Sequence, residues 1–452
     1  MIEVLHTALS FVVAIALLIA VHEFGHFIVA RKLGIKVEKF SIGFGPALFS
    51  WRSRDREVLY VIAAIPLGGY VKMLGETPEQ QGDEAKIELS EEDKKRAFDV
   101  QPVWKRAAVA VAGPGFNFLF AVFAYMLVGW LGQTVLPPVV GHVAPASIAE
   151  TAGIYAGDRV ESIAGQKVHS WQQMEELLKV KAGHQVRLEL VRAMRHLTVE
   201  LHIPMPEKDP LLLNVADEVL GFDPGLSLII DQVGRGSPAE RGGLKGGDVV
   251  KQINGQDVSN VQHFISQIKS HAGNSVGLTV LRDETLLRLQ VVPESDDKAQ
   301  VRIGVRLTSK SLHGTELYRM GMLEGLQYGV VRTWEMSALT LQVFGKMVTA
   351  SISPDNLGGP IAIAQLAGKT AELGLVSFLT FLALISVNLG VLNLLPIPIL
   401  DGGHLVYLGL EKVRGRPLTP SVMEKSQIIG LILIVGLMVF AFYNDISRLF
   451  RG

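Results

Sequence analysis

The chain of 452 residues contains no cysteine, which excludes disulfides, a thiol nucleophile and any Cys-ligated zinc or iron–sulfur site, and leaves the compartment open. It also lacks a charge imbalance. Lys and Arg number 43 against 44 Asp and Glu, so no overall field draws the protein to nucleic acid, and no nucleic-acid partner is expected. Charged residues make up only 19% of the chain, whereas 48% is hydrophobic. That balance points away from an ordinary soluble enzyme and toward a polytopic membrane protein carrying soluble modules.

Four apolar runs, at about residues 4–30, 104–131, 375–400 and 427–443, approach the roughly 20 residues a helix needs to cross a bilayer. The first differs from a signal peptide: it has no basic n-region, Glu3 stands ahead of it, and Arg31, Lys32, Lys36 and Lys39 follow it. By the positive-inside rule this helix starts outside and ends in the cytoplasm. Four crossings then place residues 132–374 outside, and Lys105, Arg106, Lys412, Arg414, Arg416 and Lys425 inside; Arg448 and Arg451, at the outer end, run against the rule.

The outer segment repeats itself. "SIAETAGIYAGDRVESIAGQKV" (147–168) aligns without gaps onto "SPAERGGLKGGDVVKQINGQDV" (237–258), ninety residues later, matching at Ser147/Ser237, Ala149/Ala239, Gly153/Gly243, Gly157/Gly247, Asp158/Asp248 and Gly165/Gly255. Two copies of one domain are therefore expected. Each reads as a short helix, a Gly-Asp turn, an alternating strand, a further helix and a strand pair. The pattern resembles the PDZ domain of bacterial membrane and periplasmic proteases, an α+β fold that binds an extended peptide or chain terminus along a sheet edge. Two spacer domains without ligands would read the same. Farther on, Leu323, Leu326, Val330, Trp334, Leu341, Phe344 and Val348 mark one face of an amphipathic helix, suited to lying on the outer membrane surface or packing on the repeated pair. The polar stretch 75–99 reads as a cytoplasmic loop.

The costliest residues sit in "LLIAVHEFGHFIVA" (17–30). His22 and His26 are four apart and share a helix face, where their ring nitrogens can reach one metal ion, and Glu23 beside them is placed to take a proton from an attacking water. Such a set in hydrocarbon costs several kilocalories, so it serves a pathway, a partner or a metal; polar glue between helices is the blander use. Zinc needs a third protein ligand. The first and third runs travel in the same direction, so residue 26 and Asp401 in "NLLPIPILDGGH" fall at similar depth on the inner side. Pro396 and Pro398 break the helix just ahead of Asp401. His404 competes for the same role, but follows a Gly-Gly pair nearer the surface.

With HExxH in the first helix, two PDZ-like copies after the second and "NLLPIPILDGGH" in the third, essentially the whole chain resembles the intramembrane zinc metalloproteases of the site-2 protease family, most closely the bacterial RseP type. The resemblance implies one Zn2+ held by His22, His26 and Asp401, Glu23 as catalytic base, and Asn388 and Asn393 holding substrate. "GPGFN" (113–117) matches the family's GxxxN pattern in the second helix. "GFG" (Gly43 to Gly45) and "IPLGGYVKM" (65–73, with Gly68, Gly69 and Tyr70) match cytoplasm-side segments that form a sheet dipping into the membrane and contacting substrate. On its own residues, "VLYVIAAIPLGGYVKM" fits a β-hairpin.

The expected architecture is a polytopic α-helical membrane protein with four transmembrane helices, a membrane-dipping β-hairpin and two extracytoplasmic PDZ domains. Its parts are 1–33, the HExxH helix; 34–103, hairpin and loop; 104–131, second helix; 132–220 and 221–309, the PDZ copies; 310–374, an amphipathic helical region; 375–404, third helix with the LDG motif; 405–426, a cytoplasmic loop; and 427–452, fourth helix and tail. By the resemblance, the protein lies in the bacterial inner membrane with both termini and the PDZ pair periplasmic. Its substrates would be single-span membrane proteins, an anti-sigma factor after a first cut and remnant signal peptides, cleaved in regulated intramembrane proteolysis. The rival reading is a noncatalytic scaffold or metal transporter with PDZ recruitment domains. Transporters usually repeat their membrane helices, whereas here the clear repeat lies outside the membrane.

Overall fold

A computed structural model describes residues 2–75, 90–206, 213–258, 261–295, 301–349 and 358–451. Two compact units emerge, residues 1–133 together with 319–452, and residues 134–318.

The first unit opens with helix α1 (Ile2–Lys32). Two long strands follow, β1 (Val37–Arg52) and β2 (Leu59–Met73). They form more than the simple hairpin expected. Phe40 pairs with both Val71 and Tyr60, Ser41 with both Tyr70 and Val61, and Trp51 with Tyr60 again. Each strand is thus folded into two stretches, ordered 69–73, 37–42, 59–63, 47–52 across the sheet. The bends fall at Gly43 and Gly45, with φ of +93° and +85°, and at Gly68, with φ of +155°; side chains rarely adopt such angles. Among the described residues the outcome is an edge along Gly69–Lys72 with no strand on its outer side. Most of the loop expected at 75–99 lies outside the described residues; its described end carries helix α2 (Glu91–Lys95), N-capped by Ser90. Helix α3 (Val103–Leu131) completes this part.

In residues 134–318 the repeat appears as two similar assemblies. The first holds α4 (Ile148–Thr151) and α5 (Trp171–Val180) with strands ordered Gln166–Lys167, Arg159–Ile163, Gln185–Arg192, Arg195–His202. Its core takes in Phe222, two residues past the boundary expected at 220. The second holds α6 (Pro238–Arg241) and α7 (Val261–Ser270), with strand order Thr285–Val291, Val276–Arg282, Val249–Ile253, Leu226–Val233, Val305–Ser311. The matched residues do matched work. Ser147 and Ser237 each cap a helix by accepting the N–H of Glu150 or Glu240. Asp158 and Asp248, fully buried, each take two hydrogen bonds of 2.6 and 2.7 Å from an arginine ninety residues apart in the two copies, Arg192 and Arg282. Burial alone would push Asp248 up, but the Arg282 guanidinium and the Lys245 N–H outweigh it and hold the carboxyl below its ordinary range.

The chain then adds α8 (Met322–Val348), α9 (Pro360–Glu372), α10 (Leu375–Leu394), α11 (Asp401–Arg414) and α12 (Pro420–Arg451). Among the described residues four helices are long and apolar enough to cross a membrane: Glu3–Lys32, Val103–Leu131, Leu375–Leu394 and Pro420–Ser447. The third apolar run is shorter as a helix than as a sequence. It stops at Leu394 because Pro396 and Pro398 cannot donate to the preceding turn, and Asp401 begins a new helix. Helix α8 lays its small residues, not its apolar stripe, on its neighbours. A Cβ at Gly325 would meet Trp130 Nε1 at 2.5 Å and one at Gly329 the Val122 carbonyl at 2.4 Å, while Leu323 and Trp334 remain 80% and 75% exposed. Small faces pack and apolar stripes turn outward where the surrounding medium is lipid. Farther along, Asp445 of α12 accepts the N–H groups of Gly359, Ile361 and Ala362, at 2.9, 2.9 and 3.1 Å, and so caps α9.

Candidate metal centre

Helix α3 is the backbone against which the centre is built. A Cβ on Gly25 of α1 would lie 2.4 Å from the Ala112 carbonyl, and one on Gly113 of α3 would lie 2.3 Å from His26 Nε2 and 2.7 Å from His22 Cε1. Both glycines are therefore conditions of the close approach that admits the two imidazoles. Pro114 carries no N–H for the Ala110 carbonyl. One residue earlier, the Val109 carbonyl accepts a 2.8 Å hydrogen bond from His26 Nδ1. A carbonyl can only accept, so His26 carries its proton on Nδ1 and presents a lone pair at Nε2.

Asp401 arrives from the opposite side. After Pro398 the chain passes through Ile399 at φ +90°, a strained conformation for a β-branched residue and of a kind that clusters at functional sites. It then turns into α11 with no room for side chains at Gly402 or Gly403, where a Cβ would fall 2.2 Å from the Leu395 carbonyl and 2.4 Å from that of Ile397. Ten residues on, Arg106 of α3 grips both carboxylate oxygens of Glu411, so α11 is tied to the helix that also seats the histidines.

The donor atoms converge. His22 Nε2 and His26 Nε2 are 3.2 Å apart, His22 Nε2 is 3.3 Å from Asp401 Oδ2, and His26 Nε2 is 3.5 Å from Asp401 Oδ1. One ligand atom from each of the three residues lies within 4.8 Å of the others. For bonds of about 2.0–2.1 Å in a tetrahedron, ligand atoms sit roughly 3.3 Å apart. The imidazoles are each 12% exposed and the carboxylate 18%, yet Asp401 Oδ2 has no hydrogen-bond partner. Lone pairs facing one another in a nearly dry site repel unless a cation joins them, so the residues fit a zinc ion. His404, the competing candidate, stands outside this cluster, with its ring beside Tyr407.

The remaining candidates divide. Glu23 is half-buried between the histidines and β2; a Cβ on Gly69 would come within 2.9 Å of Glu23 Cγ, 2.8 Å of Ile19 and 2.8 Å of the Ser41 carbonyl. The strand backbone thus passes directly against the Glu23 side chain. Gly43 and Gly68 shape the sheet, since a Cβ would strike the Ile65 carbonyl at 2.8 Å or the Phe44 ring at 2.0 Å, and Gly45 turns the chain. Tyr70 stacks on Phe44, with Lys39 over its ring. Asn388 accepts a 2.8 Å hydrogen bond from Thr340 of α8, while Asn393, half-buried one residue before the end of α10, makes no side-chain hydrogen bond among the described residues. Sequence reasoning missed the close fit of Gly113 to the imidazoles, the strain at Ile399 and the Arg106–Glu411 tie. The "GPGFN" segment carried a signal for the first; the other two join distant or locally unremarkable residues.

The model of peptidase family M50 matches residues 10–437. Protease RseP of Yersinia pestis is 39% identical, covering 99% of this chain and 100% of that protein. Regulator of sigma-E protease RseP of Escherichia coli strain K12 is also 39% identical, covering 97% of this chain and 98% of its own length. Among solved structures, the PDZ domain of an SdrC-like protein from Listeria monocytogenes covers 19% of this chain and 90% of its own at 24% identity, with a TM-score of 0.17, too low to carry an argument.

Proposed function

This chain belongs to peptidase family M50 and is a multi-pass, zinc-dependent intramembrane protease; on that premise we propose that His22, His26 and Asp401 hold its one zinc ion and that Glu23 is the general base. The observation that carries the ligand assignment is the convergence of three donor atoms on one point, with Asp401 Oδ2 left unpartnered. When bound, zinc supplies Lewis acidity, which makes water a nucleophile near neutral pH and polarises a scissile carbonyl. The chain does the rest. Glu23 accepts the proton of the attacking water and hands it to the departing amide nitrogen, a role in reach of a carboxylate beside both histidines. His26 keeps its ligating nitrogen aimed by its bond to Val109.

Peptide bonds in a helix are shielded by their own hydrogen bonds, so a membrane-spanning substrate must unwind before water reaches them. The edge of β2 at Gly69–Lys72, which pairs on one side only among the described residues and lies against Glu23, offers backbone donors and acceptors to an unwound segment. Asn393 satisfies groups that unwinding exposes; Asn388 joins it, after exchanging its bond to Thr340. Gly43, Gly45, Gly68 and Gly69 shape this edge, and Tyr70 borders it.

The substrates are single-span proteins of the inner membrane, an anti-sigma factor already shortened by another protease and remnant signal peptides. Support comes from the resemblance to RseP proteins and from the basic residues that set the HExxH helix with its end inward, leaving residues 134–318 and both termini periplasmic. The two repeated assemblies act as PDZ domains that exclude bulky outer domains and take up a peptide or chain terminus. In the second, the strand Val305–Ser311 is last in its sheet among the described residues and offers an edge for strand addition. Mapping the cleavage site in a single-span substrate tests the whole reading. A scissile bond inside the apolar span supports it, and cuts confined to flanking polar segments contradict it. Deleting residues 139–309 is expected to permit cleavage of substrate with its outer domain intact; unchanged selectivity would refute the filter.

A further inference from the structure

The "GPGFN" segment contributes a group to the centre that the reading above leaves unused. Val109, Gly113 and Asn117 recur every four residues on α3, along the face that meets His22 and His26, themselves four apart on α1. Val109 orients His26, Gly113 makes room for both rings, and Asn117 reaches the other histidine: its side-chain nitrogen lies 3.0 Å from His22 Nδ1. Asn117 is fully buried. Its backbone carbonyl accepts a 2.9 Å hydrogen bond from Ser386 of α10, which fixes the turn from which the side chain projects, and its Oδ1 has no partner.

The two ends of a carboxamide have the same shape, and the hydrogen-bond network decides which faces a neighbour. With nitrogen toward His22, the amide donates to Nδ1 and forces the ring proton onto Nε2, between His26 and Asp401, where it blocks a ligand position. With oxygen toward His22, Nδ1–H donates to the amide and Nε2 presents a lone pair. With nitrogen toward His22 the amide oxygen is left without a partner, whereas turning the amide over gives that oxygen the ring N–H of His22 as its donor and frees Nε2 for the ion.

We propose that Asn117 is a positioning residue for zinc, accepting the Nδ1–H of His22 through Oδ1 and thereby holding this ring in its ligating tautomer, as Val109 does for His26. The proposal rests on His22 being a ligand. Outer partners of ligating histidines are worth 10- to 100-fold in metal affinity.

The test is the zinc affinity of the full-length detergent-solubilised protein, measured by competition with a chromophoric chelator, for wild type, His22→Ala, Asn117→Leu and Asn117→Asp. His22→Ala serves as the control, separating failure of the ligand reading from failure of this one. The expected result is about a 10- to 100-fold loss for Asn117→Leu and wild-type affinity or better for Asn117→Asp, whose carboxylate accepts the same bond. Wild-type affinity in Asn117→Leu overturns the proposal, as does a loss in Asn117→Asp equal to that in Asn117→Leu, which would make the role one of packing. If Asn117→Leu fails to fold, Asn117→Asp decides alone: retained affinity supports the acceptor, and a tenfold loss refutes it.

Discussion

Buried carboxylates in the two units of this molecule are treated in opposite ways. In residues 134–318, Asp158 and Asp248 each sit fully buried and fully answered, gripped by Arg192 and Arg282 and by a backbone N–H of their own turn. In the membrane unit Asp401, its side chain 18% exposed, faces two imidazole nitrogens and keeps a buried oxygen without a partner. A chain that satisfies its buried charge internally has built a structural element, whereas one that brings acceptors together and leaves them unanswered has built a place for a cation. Glu175 falls on the structural side. Burial pushes its carboxyl up, and the N–H groups of Val215 and Ala216, which it accepts, only partly offset this.

The contrast predicts which variants lose chemistry and which lose stability. The largest effect is expected for Glu23→Gln, which removes the proton acceptor and leaves the ligands. Cleavage of a single-span substrate should fall by about 10²–10⁴-fold with zinc content unchanged, and an active or zinc-free variant would break the division of roles. Next is Asp248→Ala, which strands the Arg282 guanidinium. A loss of about 3 kcal/mol in the stability of the second repeat is expected, read as faster amide exchange in Val249–Ile253, while zinc content stays at the wild-type level. Zinc loss in this variant would show that the two regions are not separable in the way described. Gly69→Val should leave zinc in place and reduce cleavage about tenfold or more, because the new side chain collides with Ile19 and Glu23 and moves the edge strand from the base.

The smallest effect is in pH. The Asp248 carboxyl is depressed in the folded state, so the stability it adds is present above the unfolded carboxylate value of about 3.9 and is lost as pH falls through the lower folded one. Amide exchange in Val249–Ile253 should accelerate over that acid range. The dependence should flatten in Asp248→Asn, and an equally steep profile would remove Asp248 as its source.

Much of this was legible in the sequence because it is local or repeated. Four apolar runs need only length, His22 and His26 need only a spacing of four, and the ninety-residue offset carries Ser147 onto Ser237 and Asp158 onto Asp248, each pair doing the same work in both copies. The shared direction of the first and third runs also sufficed to bring Asp401 toward His26. What stayed hidden depends on pairing at a distance. The bent register of β1 and β2 is set by three glycines whose angles are invisible until the strands meet. Helix α8 was read by its apolar stripe, suited to the membrane surface or to packing on the repeated pair, whereas its contacts with α3 are made by Gly325 and Gly329. Arg106 and Glu411 lie 305 residues apart, and nothing near either one announces the other.

The central claim is that a single ion completes the unanswered cluster, and zinc content per chain measures it most directly. Purified wild-type protein and Glu23→Gln should each carry one zinc, with His22→Ala and Asp401→Ala each losing it while remaining folded. Undiminished zinc in Asp401→Ala, or none in the wild type after purification without chelator, would contradict the account.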